Sequence, residues 1–189
     1  MIELPQGSVI PSVRRLADLD HAVEASCPYV LLTNVHVGNL AGLAKRVIEA
    51  EKRPMVHVDL IGGFRPDRDG IRLLKNMYKI AGIFTQSSQV VDIAKKASLK
   101  AIQRVFMLDS RFFENGMRSV HDSKPDGVEF LPGLVAGQNW AKIRHLKKSM
   151  TLIAGGMIET RKDATDLLSV GFNAITTSDV DLWNYEEAK

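Results

Sequence analysis

The 189-residue chain has one cysteine, Cys27, so no intramolecular disulfide can form, and nothing pairs with it at zinc-ligand spacing. A reducing compartment suits a lone thiol of this kind. No apolar run approaches the roughly 18 residues that a membrane-spanning helix needs. Near the amino terminus Pro5, Gly7 and Pro11 break up the short apolar patch, which is unlike a signal peptide. The expected location is therefore the cytoplasm, with no membrane partner. Dense lysine and arginine tracts are missing as well. A net charge of +3 and a pI near 9.0 are far from the balance of a protein that coats nucleic acid without selectivity. An anionic ligand is permitted, not demanded. There is no metal-ligand cluster and no nucleophile with a paired base, so neither a metal nor an organic cofactor is expected.

What the chain does have is enough apolar material, 45% of its residues, to bury one sizeable core, and no linker or low-complexity stretch divides it. A single domain over residues 1–189 is expected. Short β-rich apolar runs recur every 20 to 25 residues or so, each followed by an amphipathic stretch. The runs are Ser8 to Ile10, Tyr29 to Asn34, Met55 to Asp59, Gly82 to Thr85, Ala101 to Val105, Gly127 to Leu131, Leu152 to Ala154 and Ala174 to Thr177. From Leu40 to Ala50, residues Leu40, Leu43, Ala44, Val47 and Ile48 form one stripe, with Lys45, Arg46 and Glu49 opposite. Asp67 to Tyr78 opens on acidic residues, and Arg161 to Val170 closes at Gly171, a suitable C-cap. Eight such units make an α/β fold, and the count favours a closed (β/α)8 TIM-type barrel over an open sheet with two exposed edges. The chain is short beside the roughly 250 residues typical of that barrel. Its helices must be trimmed, and the segment after strand six, with Pro132, Gly133 and Gly137, is expected to run as a loop until about Gln138.

Side chains alternate along a strand. Val56 and Val58 therefore share the face toward the helices, with His57 inside the barrel and Asp59 at its carboxyl rim, where barrel active sites are built. By the same reading Glu129 points inward with Gly127, while Val128 and Phe130 pack outward. In strand five, Gln103 lies opposite Ile102 and Arg104, and either polar residue could turn into the mouth. His57 reads as a hydrogen-bonded core residue. Asp59 and Glu129 read as functional, because a carboxylate at the inner mouth is costly to desolvate unless paired or liganded; an ion pair with Arg104 is the structural alternative.

In Ile153-Ala154-Gly155-Gly156-Met157-Ile158 an apolar strand runs into two glycines. Without a Cβ, Gly155 and Gly156 let backbone N–H groups approach a bulky anion. About twenty residues on, Thr177 and Ser178 precede a short helix whose N-terminus would favour phosphate. Strands seven and eight are where barrels commonly hold phosphate.

Five stretches are familiar as a set: His57 to Gly63, Ala101 to Ser110, Glu129 to Gly133, Ile153 to Ile158, and Thr176 to Ser178 continuing to Leu182 and Trp183. In order and content they resemble the glycerol uptake operon antiterminator family, over about Ser8 to Trp183. The resemblance implies a cytoplasmic regulator, not an enzyme. With glycerol 3-phosphate bound, such a protein acts on the leader mRNA of glycerol operons and prevents premature termination of transcription. It also implies that Gly155, Gly156, Thr177 and Ser178 take the phosphate and that Asp59, Arg104 and Glu129 read the glycerol hydroxyls. Leu134 to Gln138 lacks the proline and lysine that follow Pro132-Gly133 in the family pattern, and Thr33 to His36 also departs from it.

RNA contact needs basic and stacking groups. The best local candidate is Trp140 to Lys148, with Lys142, Arg144, His145, Lys147 and Lys148; Arg65, Arg68 and Arg72 beside the mouth are a second. Helices of an outer ring also carry solvated charge for no further purpose. Two other readings stand beside the regulator. One is a barrel enzyme on a triose or sugar phosphate, using Asp59 or Glu129 as acid or base with His57 assisting. The other is a metabolite-binding module without RNA contact. A homo-oligomer is compatible with all three.

Overall fold

The structure is a computed structural model that describes residues 1–184; residues 185–189 of the expected domain lie outside the described residues. Eight parallel strands close into a barrel in sequence order. They are β1 Ser8–Val13, β2 Tyr29–Leu32, β3 Arg53–His57, β4 Gly82–Thr85, β5 Lys100–Phe106, β6 Gly127–Leu131, β7 Thr151–Gly155 and β8 Ala174–Thr177. Every expected run is present, and two bounds differ in ways that matter for the site. β1 continues through Pro11, because Ser8 to Pro11 pair with β8 while only Ser12 and Val13 pair with β2. The proline removes one ladder donor and leaves the strand intact. β3 ends at His57, and Val58–Leu60 coils into a 3-10 turn, which takes Asp59 off the strand.

The helices are short, as the chain length requires. They are α1 Leu19–Glu24, α2 Val37–Glu49, α3 Arg68–Asn76, α4 Ser88–Lys96, α5 Ser110–Ser123, α6 Gly133–Gln138, α7 Trp140–Ile143 and α8 Arg161–Val170. Their starts follow local chemistry: Asp67, Ser87, Asp109 and Thr160 each accept a backbone N–H of the first turn. Gly171, at φ +130°, ends α8 as expected. The segment after strand six is not a loop. α6 begins at Gly133, and its glycines serve close packing: a Cβ on Gly133 would stand 3.0 Å from Ile158, and one on Gly137 2.9 Å from Leu167 of α8. Trp140 to Lys148 also differs from one continuous helix, dividing into α7 and a 3-10 turn over Arg144–Lys148. No helix among the described residues is long and apolar enough to cross a membrane.

Outward-facing strand residues such as Val56, Ile83, Val105, Val128 and Phe130 pack with the helices in one large buried cluster. Inward-facing residues form a second, with Ile10, Leu31, Met55, Phe84, Ile102 and Ile153 stacked in the lower barrel. Phe84 is fully buried there, and truncation of such a ring to alanine typically costs about 3–5 kcal/mol. Ile2 joins this cluster from below, its N–H donated to Thr151 Oγ1 at 3.0 Å. Above the apolar layer the same faces turn polar: Ser12, His57, Arg104, Glu129 and Thr176. That change of character makes a floor under the mouth of the barrel.

Candidate ligand-binding site

The polar layer opens into a cavity of about 690 Å³ bordered by Ser12, Arg14, His57, Arg104, Glu129 and Thr176 from the strands, and by Gly156 to Glu159 and Thr177 to Asp179 from the last two loops. A neighbouring hollow of about 420 Å³ shares Ser12, Arg14, His57 and Arg104. Both fall in the size range of small-molecule sites.

Glu129 is the hub. Its Oε2 accepts from Arg104 Nε at 2.8 Å and its Oε1 from the Thr176 hydroxyl at 2.6 Å. The Glu129 side chain is 2% exposed and that of Arg104 12%, so the pair shares a low-dielectric setting where neither charge stands well alone. Arg104, not Gln103, enters the mouth. Gln103 faces outward and exchanges hydrogen bonds with Ser119 and Ser123 of α5. The Arg104 guanidinium also lies over the Phe106 ring, 5.2 Å from its centroid. Held through Nε, it makes no hydrogen bond to a described residue with its two terminal nitrogens. Arg14, exposed and at the same cavity, makes no ion pair with a described residue. Two guanidinium groups thus have donors to spare.

His57 stands edge-on to Phe84 with ring centroids 5.4 Å apart. It is not the satisfied core residue that the sequence suggested, because its buried Nε2 has no hydrogen-bond partner. Burial, reinforced by the charge of Arg104, pushes its pKa down to about 3. The imidazole is therefore neutral at ordinary pH; the residue lines the cavity, while its unpartnered Nε2 is buried.

Asp59 is not brought to the cavity. Once the chain leaves β3, its Oδ1 accepts from Thr85 Oγ1 at 2.7 Å and its Oδ2 from Gln86 N–H at 2.8 Å. Both oxygens are spent holding the β4–α4 loop. Gly155 also differs in role. It is buried within β7, and a Cβ there would lie 2.5 Å from both Glu129 Oε1 and Thr176 Oγ1. The missing side chain makes room for the Glu129–Thr176 contact, not for an anion. Thr177 uses its hydroxyl to tie the two loops together, donating to Ile158 O at 2.8 Å and accepting from Asp179 N–H at 3.1 Å.

Gly156 and Ser178 do border the cavity. Gly156 and Met157 both have positive φ, +74° and +57°. Their N–H groups, and both polar groups of Ser178, make no hydrogen bond to a described residue. The expected helix after strand eight is a 3-10 turn over Val180–Leu182 whose Asp181 N–H is already capped by Asp179. No dipole end is free there. Two carboxylates also line the cavity, the exposed Glu159 and the half-buried Asp179, the latter accepting from Asp181 N–H. Trp183 locks the arrangement from behind, 1% exposed and donating its indole N–H to Thr177 O at 2.9 Å.

Of the residues considered for RNA contact, Arg65 faces Asp67 at 3.8 Å and Arg72 faces Asp69 at 4.0 Å, while Arg68 stands unpaired at the mouth. Lys142, on α7, borders a separate hollow with Asp109 and Glu114. Lys147 donates to Gly171 O at 2.7 Å. Arg144 and Lys148 are exposed on the following turn.

Arg14 and Ser12 were not singled out from the sequence, and Thr176 was read only as part of the Thr176 to Ser178 motif. A signal existed for the first two, since residues 8, 10, 12 and 14 share one parity, and it is lost if the strand is ended at Pro11.

Residues 9–183 match the family model described as glycerol-3-phosphate responsive antiterminator. A crystal structure of a glycerol uptake operon antiterminator regulatory protein from Listeria monocytogenes is similar at 30% identity and a TM-score of 0.87, covering 95% of this chain and 96% of that one. A glycerol uptake operon antiterminator-related protein from Thermotoga maritima is similar at 28% identity and a TM-score of 0.84, over 95% and 99% of the two chains. An Escherichia coli K12 protein named uncharacterized protein YgcP is 30% identical over 183 residues, 95% of this chain and 93% of that protein.

Proposed function

Because the chain belongs to the glycerol-3-phosphate responsive antiterminator family, we propose that it binds glycerol 3-phosphate in the mouth cavity and, so loaded, binds the leader mRNA of glycerol operons to allow read-through. The observation that carries the ligand half is the pairing of unused donors with a fixed polar hub in one cavity. The unpartnered N–H groups of Gly156 and Met157, with the N–H and hydroxyl of Ser178, suit a phosphate. Arg14 supplies positive charge beside them. The Glu129 carboxylate and the free nitrogens of Arg104 suit a polyol, since they offer an acceptor and donors, beside the neutral His57 ring that lines the same cavity. Thr177 and Gly155 act as supports for this set, and Asp59 as a support for the rim.

Recognition, not proton transfer, fits these groups. Glu129 is held at both oxygens and ion-paired and Asp59 is bonded into a loop, so both carboxylates of the enzyme reading are engaged, and His57, its pKa pushed down to about 3, is a weak base. Titration calorimetry with glycerol 3-phosphate, glycerol and inorganic phosphate tests the ligand half. Saturable heat with glycerol 3-phosphate and at least tenfold weaker binding of the other two is expected, and Gly156→Asp should abolish it. Equal binding of glycerol would refute the phosphate site. Turnover of glycerol 3-phosphate or another triose phosphate would refute the regulator reading.

A further inference from the structure

At the opposite end of the barrel from the mouth, the carboxyl-terminal half of α5 and the Arg144–Lys148 turn enclose a groove of about 750 Å³. Its floor is apolar: Met117, Pro125, Leu146 and Met150. Its edge is cationic. Arg118 and Lys124 line it with His121 and His145, and Arg144 and Lys148 stand on the turn that forms one wall. Arg118, Lys124, Arg144 and Lys148 are exposed and have no carboxylate partner among the described residues. One exposed acid, Asp122, also lines the groove, 3.3 Å from the His121 ring.

The mouth mixes paired and unpaired cations: Arg15, Arg65 and Arg72 there each face an aspartate, Arg14 and Arg68 do not, and Asp109 and Asp179 add acids at the turns that follow β5 and β8. Unpaired cations beside an unfilled apolar slot are what single-stranded RNA requires, phosphates meeting the cations while an unstacked base leaves water.

Resting on the antiterminator reading, we infer that this groove is where leader RNA docks, with one base seated against Met117, Leu146 and Met150 and the flanking phosphates on Arg118, Lys124 and Lys148. The groove and the ligand cavity are joined by a single strand. Met150 in the groove directly precedes β7, whose five residues rise about 17 Å to Gly155 beside the Glu129 carboxylate. A ligand that reorders the Gly155–Gly156 end of this strand acts on the same rigid element whose other end shapes the groove.

Fluorescence anisotropy of a labelled glycerol-operon leader RNA, measured against salt with glycerol 3-phosphate present, tests the inference. Single-stranded binding loses about 0.7 in log–log salt slope per phosphate contact, so R118A/K124A/K148A should lower the slope by about 2. Ser149→Trp, which fills the groove without changing charge, should weaken binding at least tenfold. Both variants should keep wild-type glycerol 3-phosphate calorimetry, which shows that they fold, and Arg68→Ala at the mouth should bind RNA like wild type. Wild-type protein that binds no leader RNA overturns the antiterminator reading and this inference together. Wild-type binding with both groove variants unimpaired overturns the groove alone. So does a Ser149→Trp variant that changes self-association in sedimentation and leaves RNA binding intact, since the groove would then hold a second copy of the chain.

Discussion

Neutralising Glu129 while keeping its shape separates what holds the barrel mouth together from what recognises a ligand. In Glu129→Gln the single amide oxygen can still accept from Arg104 Nε, while the NH2 takes the place of the oxygen that accepted from the Thr176 hydroxyl, which must turn to accept instead; the Arg104 guanidinium, 12% exposed, loses its counter-charge. Removing one partner of a buried pair typically costs 3–5 kcal/mol. Because the Arg104 bond persists, the Thr176 bond can re-form with its direction reversed, and Arg104 keeps some contact with water, about 3 kcal/mol is expected. In a domain of this size that lowers Tm by about 6–12 °C. Arg104→Met combined with Glu129→Leu removes both charges together, and stability should return to within about 1–2 kcal/mol of wild type, since apolar replacements of buried pairs are often neutral. Ligand binding should not return. With glycerol 3-phosphate at 100 times its wild-type Kd, wild type gains about 2.7 kcal/mol and the double variant gains nothing. Thermal and urea denaturation with and without ligand measure all three. A Glu129→Gln Tm within 2 °C of wild type would show that the pair carries no burial penalty. A double variant still stabilised by glycerol 3-phosphate would show that the pair is not a recognition element.

Gly155→Ala places a Cβ 2.5 Å from Glu129 Oε1 and Thr176 Oγ1, so overpacking should cost about 1–3 kcal/mol and weaken ligand binding, read by denaturation and calorimetry; wild-type behaviour would mean that the hub has slack. Arg14→Ala, at an exposed and unpaired residue, should leave Tm unchanged and reduce glycerol 3-phosphate affinity about 10–100-fold, the value of a charge-assisted hydrogen bond of about 1.5–3 kcal/mol. Lowered Tm with intact affinity would reverse that assignment. His57 titrates near 3 in the folded protein against a usual 6.5, so between those values the unfolded chain binds the extra proton and stability falls as pH falls. The slope is about 1.4 kcal/mol per pH unit. Relative to His57→Gln, wild type should therefore lose about 2 kcal/mol between pH 6.5 and 5, and parallel pH profiles of the two proteins would contradict a neutral buried imidazole.

The barrel was legible because period and count reinforced each other: runs such as Gly127–Leu131 and Ala174–Thr177 end where their strands end. Parity also predicted that Glu129 faces inward, since Gly127 and Glu129 share a face in any strand. The same rule misplaced Asp59, because alternation holds only while the strand lasts and β3 ends at His57. Glycine was read for one purpose and served another. At Gly155 the space of the missing Cβ is filled by Glu129 and Thr176, residues about 25 and 20 positions away, and at Gly133 by Ile158. Contacts of that range have no local signature. The unpaired state of His57 Nε2 was likewise out of reach, because whether a buried polar atom finds a partner depends on the neighbouring strands and not on its own. The division of basic residues between paired and free needed the fold as well, since Lys147 donates to Gly171 O, 24 positions on, while Arg144 and Lys148 on the same turn have no carboxylate partner among the described residues.

The most direct test is read-through transcription in vitro on a template carrying a glycerol-operon leader and its terminator, with purified protein and RNA polymerase. The account predicts that full-length transcript rises with protein only when glycerol 3-phosphate is present, and that glycerol at the same concentration has no effect. Termination unchanged by the glycerol 3-phosphate-bound protein, or relieved equally without the ligand, would contradict it.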